Sequence, residues 1–495
     1  MISMKRIVFL FFNIITTLIV SAQRDFQLVE NQNFWLTSGN SASLTTFNVP
    51  TISTGNIFYN YSSGSLRGDM QGSHNNQFGV DAQSYYRIND KLVVYGNVIY
   101  DNNYASNLAG SMFLTHDDLK PFDLVEATDE NIGSKRYEFF NIDGAVGWKI
   151  TNHLSLGAKF DFTAGTYAKY RDLRHTNTLM DIDARANLFW NFSGLNGVGA
   201  SFIYKRRSET MKFETFGTTD KVFKTLVDYA NGYGEIETYG GDGFTDSSNE
   251  TPMYNQYFGV GLQGGLVGLY GEIDYLHRSG YYGKKSQYTV NHSDHSSNIF
   301  RWKVRYVLPD QRSYLCMFEI GQTSEVLSSF RTNYRKETME GNGSVTYYEY
   351  YEPTKISDKA MQAGYFSFKG YWKPVGDIYL WYANANVGYV HSKQSAYLFP
   401  SIYTERFTSI NPEVTGRRSF FVRDTDLLSV ELVYGMQFKF EEQLNVGVTL
   451  KYELGLHNKN IRPWLLAGYS LRHGIGDEIK NLNRNSLYLM LGITF

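Results

Sequence analysis

Two polar stretches of the sequence carry residue types that bind metal ions. The segment NHSDHSS contains His292, Asp294 and His295, and the segment GGDGFTDSSNE at 240–250 supplies carboxylate and amide oxygens. Two histidines three residues apart in a polar loop are more often solvated than metal-bound, and the oxygens of 240–250 do not follow the EF-hand spacing. The sequence therefore predicts no metal site.

Nucleophilic and hydrolytic motifs are missing as well. The chain has no GxSxG, HExxH or CxxC pattern, and the histidines in polar segments have no fixed spacing to Ser or Asp. The single cysteine, Cys316, excludes an intramolecular disulfide. We expect neither an enzyme nor a cofactor.

The most concentrated charge lies in the segment FRWKVRY at 300–306. Arg301, Lys303 and Arg305 alternate there with apolar and aromatic residues, so in a strand they share one face. Neighbours on that face are roughly 6–7 Å apart. Three like charges at this distance repel each other unless acidic residues or an anionic solute lie opposite.

Other alternating segments place charge on one face in the same way. Strands at 154–164, 179–190 and 198–207 put apolar residues on one face and charged residues on the other: Lys159, Asp161, Asp181, Asp183, Arg185, Lys205 and Arg207. Two interpretations remain open, a structural network of ion pairs or a solute pathway. If the pathway is open, the positive strip predicts weak anion selectivity.

The elements that must position these residues are hairpins. Seven times, two alternating apolar segments flank a short polar turn; the turns lie at 89–91, 152–153, 193–197, 267–268, 309–312, 374–377 and 441–442. Longer polar segments separate the hairpins, at 106–134, 208–255, 281–297, 336–356 and 395–425. Short turns at one end and long loops at the other are typical of a transmembrane antiparallel β-barrel, with the short turns periplasmic and the long loops extracellular.

The number of strands is estimated from these hairpins. Seven hairpins, an opening strand at 55–67 and a closing strand give about 16 strands. The segment IRPWLLAGYSLRHG at 461–474 has the composition of a strand but falls where a loop is expected. The chain ends on NSLYLMLGITF, whose alternate residues are apolar, and we expect the terminal Phe495 to serve as the assembly signal of an outer-membrane barrel.

The N-terminal region has a different character. Residues 1–22 combine Lys5 and Arg6 with an apolar run and a small-residue end, which predicts a signal peptide. Residues 23–52 form an N-terminal extension or a plug, and 53–495 form the barrel. Aromatic residues make up 16% of the chain, which suits the aromatic girdles of such a barrel, and the net charge of −2 gives no attraction for nucleic acid.

Several stretches resemble an uncharacterised outer-membrane β-barrel family of Bacteroidota. They are the signal end Ala22-Gln23, Trp35 with SGNSASL (38–44), LVVYGNVIYDNN (92–103) and KYRDLRHTNTLMD (169–181), where Leu173 stands at a position expected to be Pro. The resemblance implies a companion role beside TonB-dependent uptake systems. It transfers no activity to particular residues.

Together these observations predict a protein of the cell outer membrane. The first hypothesis is a porin-like channel or passive transporter for a small solute, because a barrel of this size with a polar inner face encloses an aqueous lumen. The alternative is a non-enzymatic accessory barrel that docks to an outer-membrane uptake complex. The expected partners are outer-membrane lipid, the barrel assembly machinery and a TonB-dependent receptor complex.

Overall fold

The structure, a computed structural model, describes most of the chain. The described residues are 26–68, 70–108, 110–114, 119–126, 132–217, 220–239, 251–283, 292–308, 314–339, 345–376, 378–423, 425–439, 441–455 and 461–495. The expected signal peptide, the turn at 309–312 and the segment 240–250 lie wholly or mostly outside them.

Eighteen antiparallel strands among the described residues form a closed barrel. Each strand pairs with the next barrel strand along the chain, and the last pairs with the first, from Thr54 opposite Thr494 to Gly64 opposite Arg484. The barrel strands are β1 (Thr51–Gly64), β2 (His74–Asn89), β3 (Leu92–Leu108), β5 (Gly133–Lys149), β6 (Leu154–Lys169), β7 (Arg174–Ser193), β8 (Asn196–Glu214), β11 (Thr251–Leu266), β12 (Leu269–Tyr282), β13 (Ser293–Val307), β14 (Tyr314–Met339), β15 (Val345–Val375), β16 (Ile378–Leu398), β17 (Ser401–Phe421), β18 (Leu427–Gln437), β19 (Gln443–Glu453), β20 (Arg462–Gly474) and β21 (Asn483–Thr494). The predicted all-β antiparallel barrel is confirmed, with eighteen strands instead of about sixteen.

The remaining elements are not part of the barrel wall. Strands β4 (Asp123–Glu126), β9 (Lys224–Ala230) and β10 (Tyr233–Thr238) form a separate three-stranded sheet. Near the N-terminus are helix α1 (Phe26–Gln32) and a 3-10 helix (Ser41–Thr46) whose N-cap is Asn40. None of the helices among the described residues is long and apolar enough to cross a membrane.

The two ends of the barrel differ in their connections. We call the end that holds Thr51 and Phe495 the terminal end, and the opposite end the distal end. Most predicted short turns lie at the terminal end, and three of them use a glycine with positive φ: Gly194, Gly268 and Gly376. Of the long connections, those around β4 and around β9 and β10 lie at the distal end.

One segment predicted as a loop is a strand. Leaving this strand out of the count places the next predicted turn at the wrong end of the barrel. Residues 401–421, inside the expected loop 395–425, form β17. Because one strand was omitted, the turn at 441–442 was assigned to the terminal end, whereas it lies at the distal end. The unplaced segment 461–474 is β20. Adding β17 and β20 raises the predicted sixteen strands to the eighteen observed, which is again an even number.

Two further predicted loops are partly regular. The expected loop 208–255 begins with the last residues of β8, contains β9 and β10, and ends within β11. The expected loop 336–356 is the tip of the long β14–β15 hairpin, with Arg335 opposite Glu349. Polar side chains are compatible with strands here because neither segment lies within the apolar belt of the barrel.

The outward face of the barrel is apolar all round. Large exposed side chains occupy alternate positions on strand after strand, among them Phe160, Phe202, Ile273, Leu432 and Leu491. Leu491, for example, is 60% exposed although it lies in the middle of a paired strand. A continuous apolar belt of this kind is the surface that faces lipid in transmembrane barrels.

Candidate functional site

The N-terminal residues 26–50, which we call the lumenal plug, lie inside the barrel toward its terminal end. Their contacts reach widely separated strands: Asn40 Nδ2 donates to Leu188 O of β7 at 2.8 Å, and Gly39 N donates to Glu272 Oε1 of β12 at 2.9 Å. Asn31 Nδ2 donates to the hydroxyl of Tyr371 on β15 at 2.8 Å. The plug is therefore tied to the inner wall over a wide arc.

An aromatic cluster anchors the plug. Trp35 is 1% exposed and packs edge-on against Phe189 and Tyr270, with ring centroids 4.6 and 5.2 Å away. Its indole Nε1 donates to Leu195 O at 2.7 Å, so the buried polar atom is satisfied. Phe34 lies beside Trp35 in the same cluster.

Glycines in the wall make room for the plug. A Cβ at Gly157 would lie 2.2 Å from Ala42 N, and one at Gly199 would lie 2.4 Å from Asn40 Nδ2. Neither distance is possible without moving the plug. Glycine inside a strand often marks close approach by another backbone, and this is the sequence signal that indicates where the plug docks.

The predicted positive strip on β13 lies against this plug. Lys303 Nζ is 2.9 Å from Glu272 Oε2, and Arg305 forms an ion pair with Glu319. Both cations also hold Thr37: Lys303 donates to its carbonyl oxygen at 3.2 Å and Arg305 to its Oγ1 at 2.8 Å. Arg301 lies opposite Asp274 in the register of β12 and β13.

The other predicted lumenal charges lie on β6, β7 and β8, and two of them have partners on β5. Lys159 pairs with Asp143 at 2.8 Å, and Asp161 accepts from Asn141 Nδ2 at 2.6 Å. Most of the rest form ion pairs with one another: Arg185 with Asp183 at 3.0 Å, Lys205 with Asp181 at 3.6 Å, and Arg207 with Asp181. The structure thus brings the predicted residues together as a paired, charged arc from β5 to β14.

A cavity of about 530 Å³ lies between the plug and this charged arc. Thr37, Ser38 and Gly39 of the plug form one side of it. Charged side chains form another side: Lys159, Arg185, Glu272, Asp274, Arg301 and Lys303. Because its cations face carboxylates in the wall, the cavity has no strong field of one sign.

The distal end of the lumen is also crossed by chain. The β3–β5 connection, described at 110–114 and 119–126, turns inward and contacts opposite walls. Leu114 N donates to Glu209 at 2.7 Å, Arg278 donates to Leu119 O at 2.7 Å, and Ser357 donates to Pro121 O at 2.9 Å. We call these residues the crossing loop.

The three-stranded sheet packs on the crossing loop, and its strand β4 is the last part of that loop. Val227 and Tyr229 of β9 belong to one buried apolar cluster with Phe113 and Phe122 of the loop. At the end of β4, Glu126 forms an ion pair with Lys169 and lies 3.5 Å from Lys135, and all three side chains are fully buried. Removing one partner of such a group leaves a buried unpaired charge, which is strongly destabilising.

A second cavity, of about 490 Å³, lies between α1 of the plug and the barrel wall on the side away from the charged arc. We call it the side cavity. It is bounded by α1 and by inward residues of β15–β21, β1 and β2: among them are Asn56, Asp81, Gln83, Tyr371, Tyr379, Tyr382, Thr415, Arg417, Ser419, Ser429, Glu431, Lys451, Glu453, Trp464 and Met490. This part of the lumen is where the plug makes few contacts.

Sequence reasoning missed most of the lining of the side cavity. Arg417 lies on β17, which was predicted as a loop, and Trp464 lies on β20, which was not assigned. The available signal was the requirement for an even number of strands in a single-chain bacterial barrel. Counting 461–474 as a strand gives an odd number, so one more strand is required, and 401–421 supplies it.

Metal-binding geometry is not present in the part of the chain that the structure describes, where no three His, Cys, Asp or Glu side chains are grouped to hold an ion. His295 is fully buried in the wall, with Nε2 2.7 Å from Asn255 Oδ1. Phe495 closes the barrel at the terminal end, where its backbone exchanges hydrogen bonds of 2.9 and 2.7 Å with Ser53.

A family match covers nearly all of this architecture. Residues 41–491 match a family described as being of unknown function, DUF6850. The chain belongs to this family. The DUF6850 match spans every barrel strand and reaches into the plug at the 3-10 helix. No curated protein is significantly similar in sequence.

Solved structures similar to this DUF6850 protein are outer-membrane barrels of low similarity. The ferric preacinetobactin receptor of Acinetobacter baumannii has 8% identity and a TM-score of 0.43, covering 90% of this chain and 80% of the receptor. A FadL homologue of Pseudomonas aeruginosa has 8% identity and a TM-score of 0.31, covering 92% of each chain. The monoaromatic hydrocarbon channel CymD has 9% identity and a TM-score of 0.31, covering 92% and 91%. These low values leave function to be argued from the chain's own residues.

Proposed function

We propose that this protein is an outer-membrane barrel through which a small solute passes beside the lumenal plug. The observation that carries the proposal is the side cavity of about 490 Å³, which lies between the plug and the wall from β15 to β2. The continuous apolar belt outside supports residence in lipid. The protein's own part is selection and passage, without a chemical step.

The two halves of the lumen then have different tasks. The charged arc from β5 to β14 fixes the plug through Thr37, Gly39 and Trp35. The side cavity is lined mainly by hydroxyl, amide and aromatic groups, which exchange hydrogen bonds with a solute and its water. A plug held mainly by the charged arc leaves room on its other side, where α1 contacts Tyr371, for a narrow, selective route.

Conductance in planar lipid bilayers tests this proposal. The intact chain should give small single-channel steps, and Trp35→Ala should give larger ones, because removing a buried Trp costs about 3–5 kcal/mol of packing and weakens the plug. Trp148, which is exposed on the outer face, provides the control Trp148→Ala. An intact chain and a Trp35→Ala chain that are both folded and both silent would refute a passage beside the plug.

A second candidate is an accessory barrel that docks to an uptake complex, such as one with a TonB-dependent receptor. The specific observation is the tip of the β14–β15 hairpin. Pairing of β13 with β14 ends at Arg331, and pairing of β15 with β16 begins at Ser357, so the tip beyond these residues pairs only with itself. Free strand edges are sites for pairing with another chain.

The tip also carries exposed aromatic residues. Tyr350 is 59% exposed, and Tyr334 lies opposite it in the register. Shortening the hairpin by removing residues 333–351 should leave a folded barrel and abolish co-purification with a receptor complex from native membranes. Unchanged co-purification would leave the tip without a docking role.

A further inference from the structure

We propose that the side cavity binds a short neutral oligosaccharide. The inference deepens the proposed function, since it names the class of solute that passes beside the plug. It is carried by three properties of the lining: nearly balanced charge, aromatic rings on the inner wall, and a buried hydrogen-bond donor that has no protein acceptor among the described residues.

The charges of the side cavity nearly cancel. Its lining contains two cations, Arg417 and Lys451, and three carboxylates, Asp81, Glu431 and Glu453. They are interleaved: Arg417 lies opposite Glu431 in the register of β17 and β18, and Lys451 forms an ion pair with Glu453. Interleaved charges produce no field that would select an ion, but they supply donors and acceptors for hydroxyl groups.

Uncharged polar side chains occupy much of the remaining wall. They are Thr54, Asn56, Gln83, Thr415, Ser419, Ser429 and Thr494. Hydroxyls and primary amides both donate and accept, as the hydroxyls of a sugar do. This composition contrasts with the charged arc on the other side of the plug, so the plug separates two chemically different surfaces.

Aromatic rings provide apolar surfaces within this polar wall. Tyr371 packs against Tyr379 and Tyr382, with ring centroids 5.8 and 4.9 Å away. The guanidinium of Arg417 lies 4.9 Å from the ring centroid of Tyr382, and Lys451 Nζ lies 4.8 Å from that of Trp464. The cations steady these rings by cation–π contact. Rigid rings beside donors and acceptors suit a pyranose, whose C–H face is apolar and whose rim carries hydroxyls.

Trp464 is the most informative residue of the lining. Only 9% of its surface is exposed, and its Nε1–H has no hydrogen-bond acceptor among the described residues. A buried donor without an acceptor destabilises the folded protein, because it has lost its hydrogen bond to water. Lys451 Nζ covers the ring at 4.8 Å, so a solute hydroxyl would recover that cost once the Lys451 side chain has moved aside.

The size of the side cavity limits the oligosaccharide. A volume of about 490 Å³ lies within the range of pockets that hold a drug-sized molecule. A di- or trisaccharide belongs to that size class. Longer chains would have to thread past the plug.

Calorimetric titration of the detergent-folded full chain with maltotriose tests the proposal. We expect saturable binding, about tenfold weaker in Trp464→Ala and unchanged in Trp148→Ala, whose ring lies outside the barrel. Trp464→Phe keeps a ring and removes the Nε1 donor, so its affinity should lie between those of Trp464→Ala and the native chain. Heat-modifiable migration checks that each variant is folded.

Two parallel titrations decide the solute class. Trialanine, which is zwitterionic, and citrate, which is anionic, should not bind at concentrations at which maltotriose does. Binding of either one with none of maltotriose, or maltotriose binding that Trp464→Ala leaves unchanged, would overturn the oligosaccharide assignment.

Conductance separates this inference from the proposed function. Maltotriose should reduce the single-channel current of the intact chain, and less so in Trp464→Ala. A conducting channel that maltotriose neither binds nor blocks would leave the passage intact and refute the oligosaccharide. Binding by a chain that never conducts would support the site and refute the passage.

Discussion

At the residue scale, charge in the lumen is arranged by the register of the strands. Residues directly opposite on neighbouring strands have Cβ atoms close enough to interact, so a cation on β13 meets whatever lies at the same level on β12 and β14. Lys303 therefore meets Glu272, and Arg305 meets Glu319. Pairing of this kind lets a wide wall carry many charges without a large net field.

The positive strip of β13 gives a testable consequence. Replacing Arg301, Lys303 and Arg305 together with Gln should shift the reversal potential in a salt gradient toward cation preference for ions that pass through the cavity of the charged arc, because Glu272, Asp274 and Glu319 lose their counter-charges. It should leave the reversal potential unchanged for ions confined to the side cavity. The measurement is the reversal potential of open channels in a planar bilayer. A matched change of Lys91, which lies in an exposed turn at the terminal end, to Gln should have no effect.

If the triple variant conducts with an unaltered reversal potential, the ions do not pass near β13. That outcome would be consistent with a route confined to the side cavity. An increased conductance in the same variant would show that Thr37 had been released, since Lys303 and Arg305 both donate to it.

At the element scale, each barrel strand places alternate side chains in two environments, the lipid-facing surface and the lumen. On β5, Ile142 is 53% exposed on the outward face, while its neighbour Asp143 pairs with Lys159 inside. A strand has a side-chain period of two, so a register slip of one residue would exchange these environments along its whole length. The pattern therefore specifies the register strongly.

A charge on the outward face should be costly in proportion to its depth. Ile142→Arg should destabilise the protein in lipid vesicles by about 2–4 kcal/mol, whereas Ile88→Arg, at the end of β2 beside a turn, should cost about 0–1 kcal/mol. Chemical denaturation followed by tryptophan fluorescence measures both. Equal costs at the two positions would contradict a membrane belt centred near Ile142.

We expect assembly of the closing strand to depend on Phe495. Deleting Phe495 removes the backbone hydrogen bonds to Ser53 and the terminal aromatic ring, so the outer-membrane fraction should contain much less protein. Phe495→Tyr keeps both features and serves as the control. Normal amounts of the deletion variant in the outer-membrane fraction would remove Phe495 as an assembly signal.

At the scale of the whole molecule, the described barrel wall has no free edge below the tip of the β14–β15 hairpin. Every barrel strand pairs on both sides, and the β1–β21 pairing closes the ring. Closure satisfies the backbone hydrogen bonds that lipid cannot satisfy. The plug and the crossing loop fill the interior, and the contrast between the charged arc and the side cavity exists only because the ring is closed.

Closure predicts the electrophoretic behaviour of the folded chain. In detergent without heating, the protein should migrate differently from the heated sample, because a closed barrel resists unfolding until it is heated. The Ile88→Arg variant should retain this shift and shows that it does not depend on one surface residue. A chain purified without detergent as a water-soluble monomer would be incompatible with a transmembrane barrel.

The sequence by itself determined the local features of this fold. The alternation of apolar and polar residues determined which residues share a face of each strand. Short segments that contain glycine predicted turns, such as those at Gly194 and Gly376. The apolar closing strand was evident because an outward face in contact with lipid must be continuously apolar. These features depend on neighbours in the chain, and so they can be seen without the fold.

Only the tertiary structure decided what the lumen contains. The polar segment 401–421 became β17 because β16 and β18 offer it hydrogen-bonding partners, a contribution that local composition does not show. The position of residues 26–50 depends on contacts with strands more than 100 residues away, such as Asn40 with Leu188. Long-range contacts of this kind leave little pattern in one sequence. The side cavity is therefore a property of ring closure and plug position together, and the residues that line it, Trp464 among them, share no local signal.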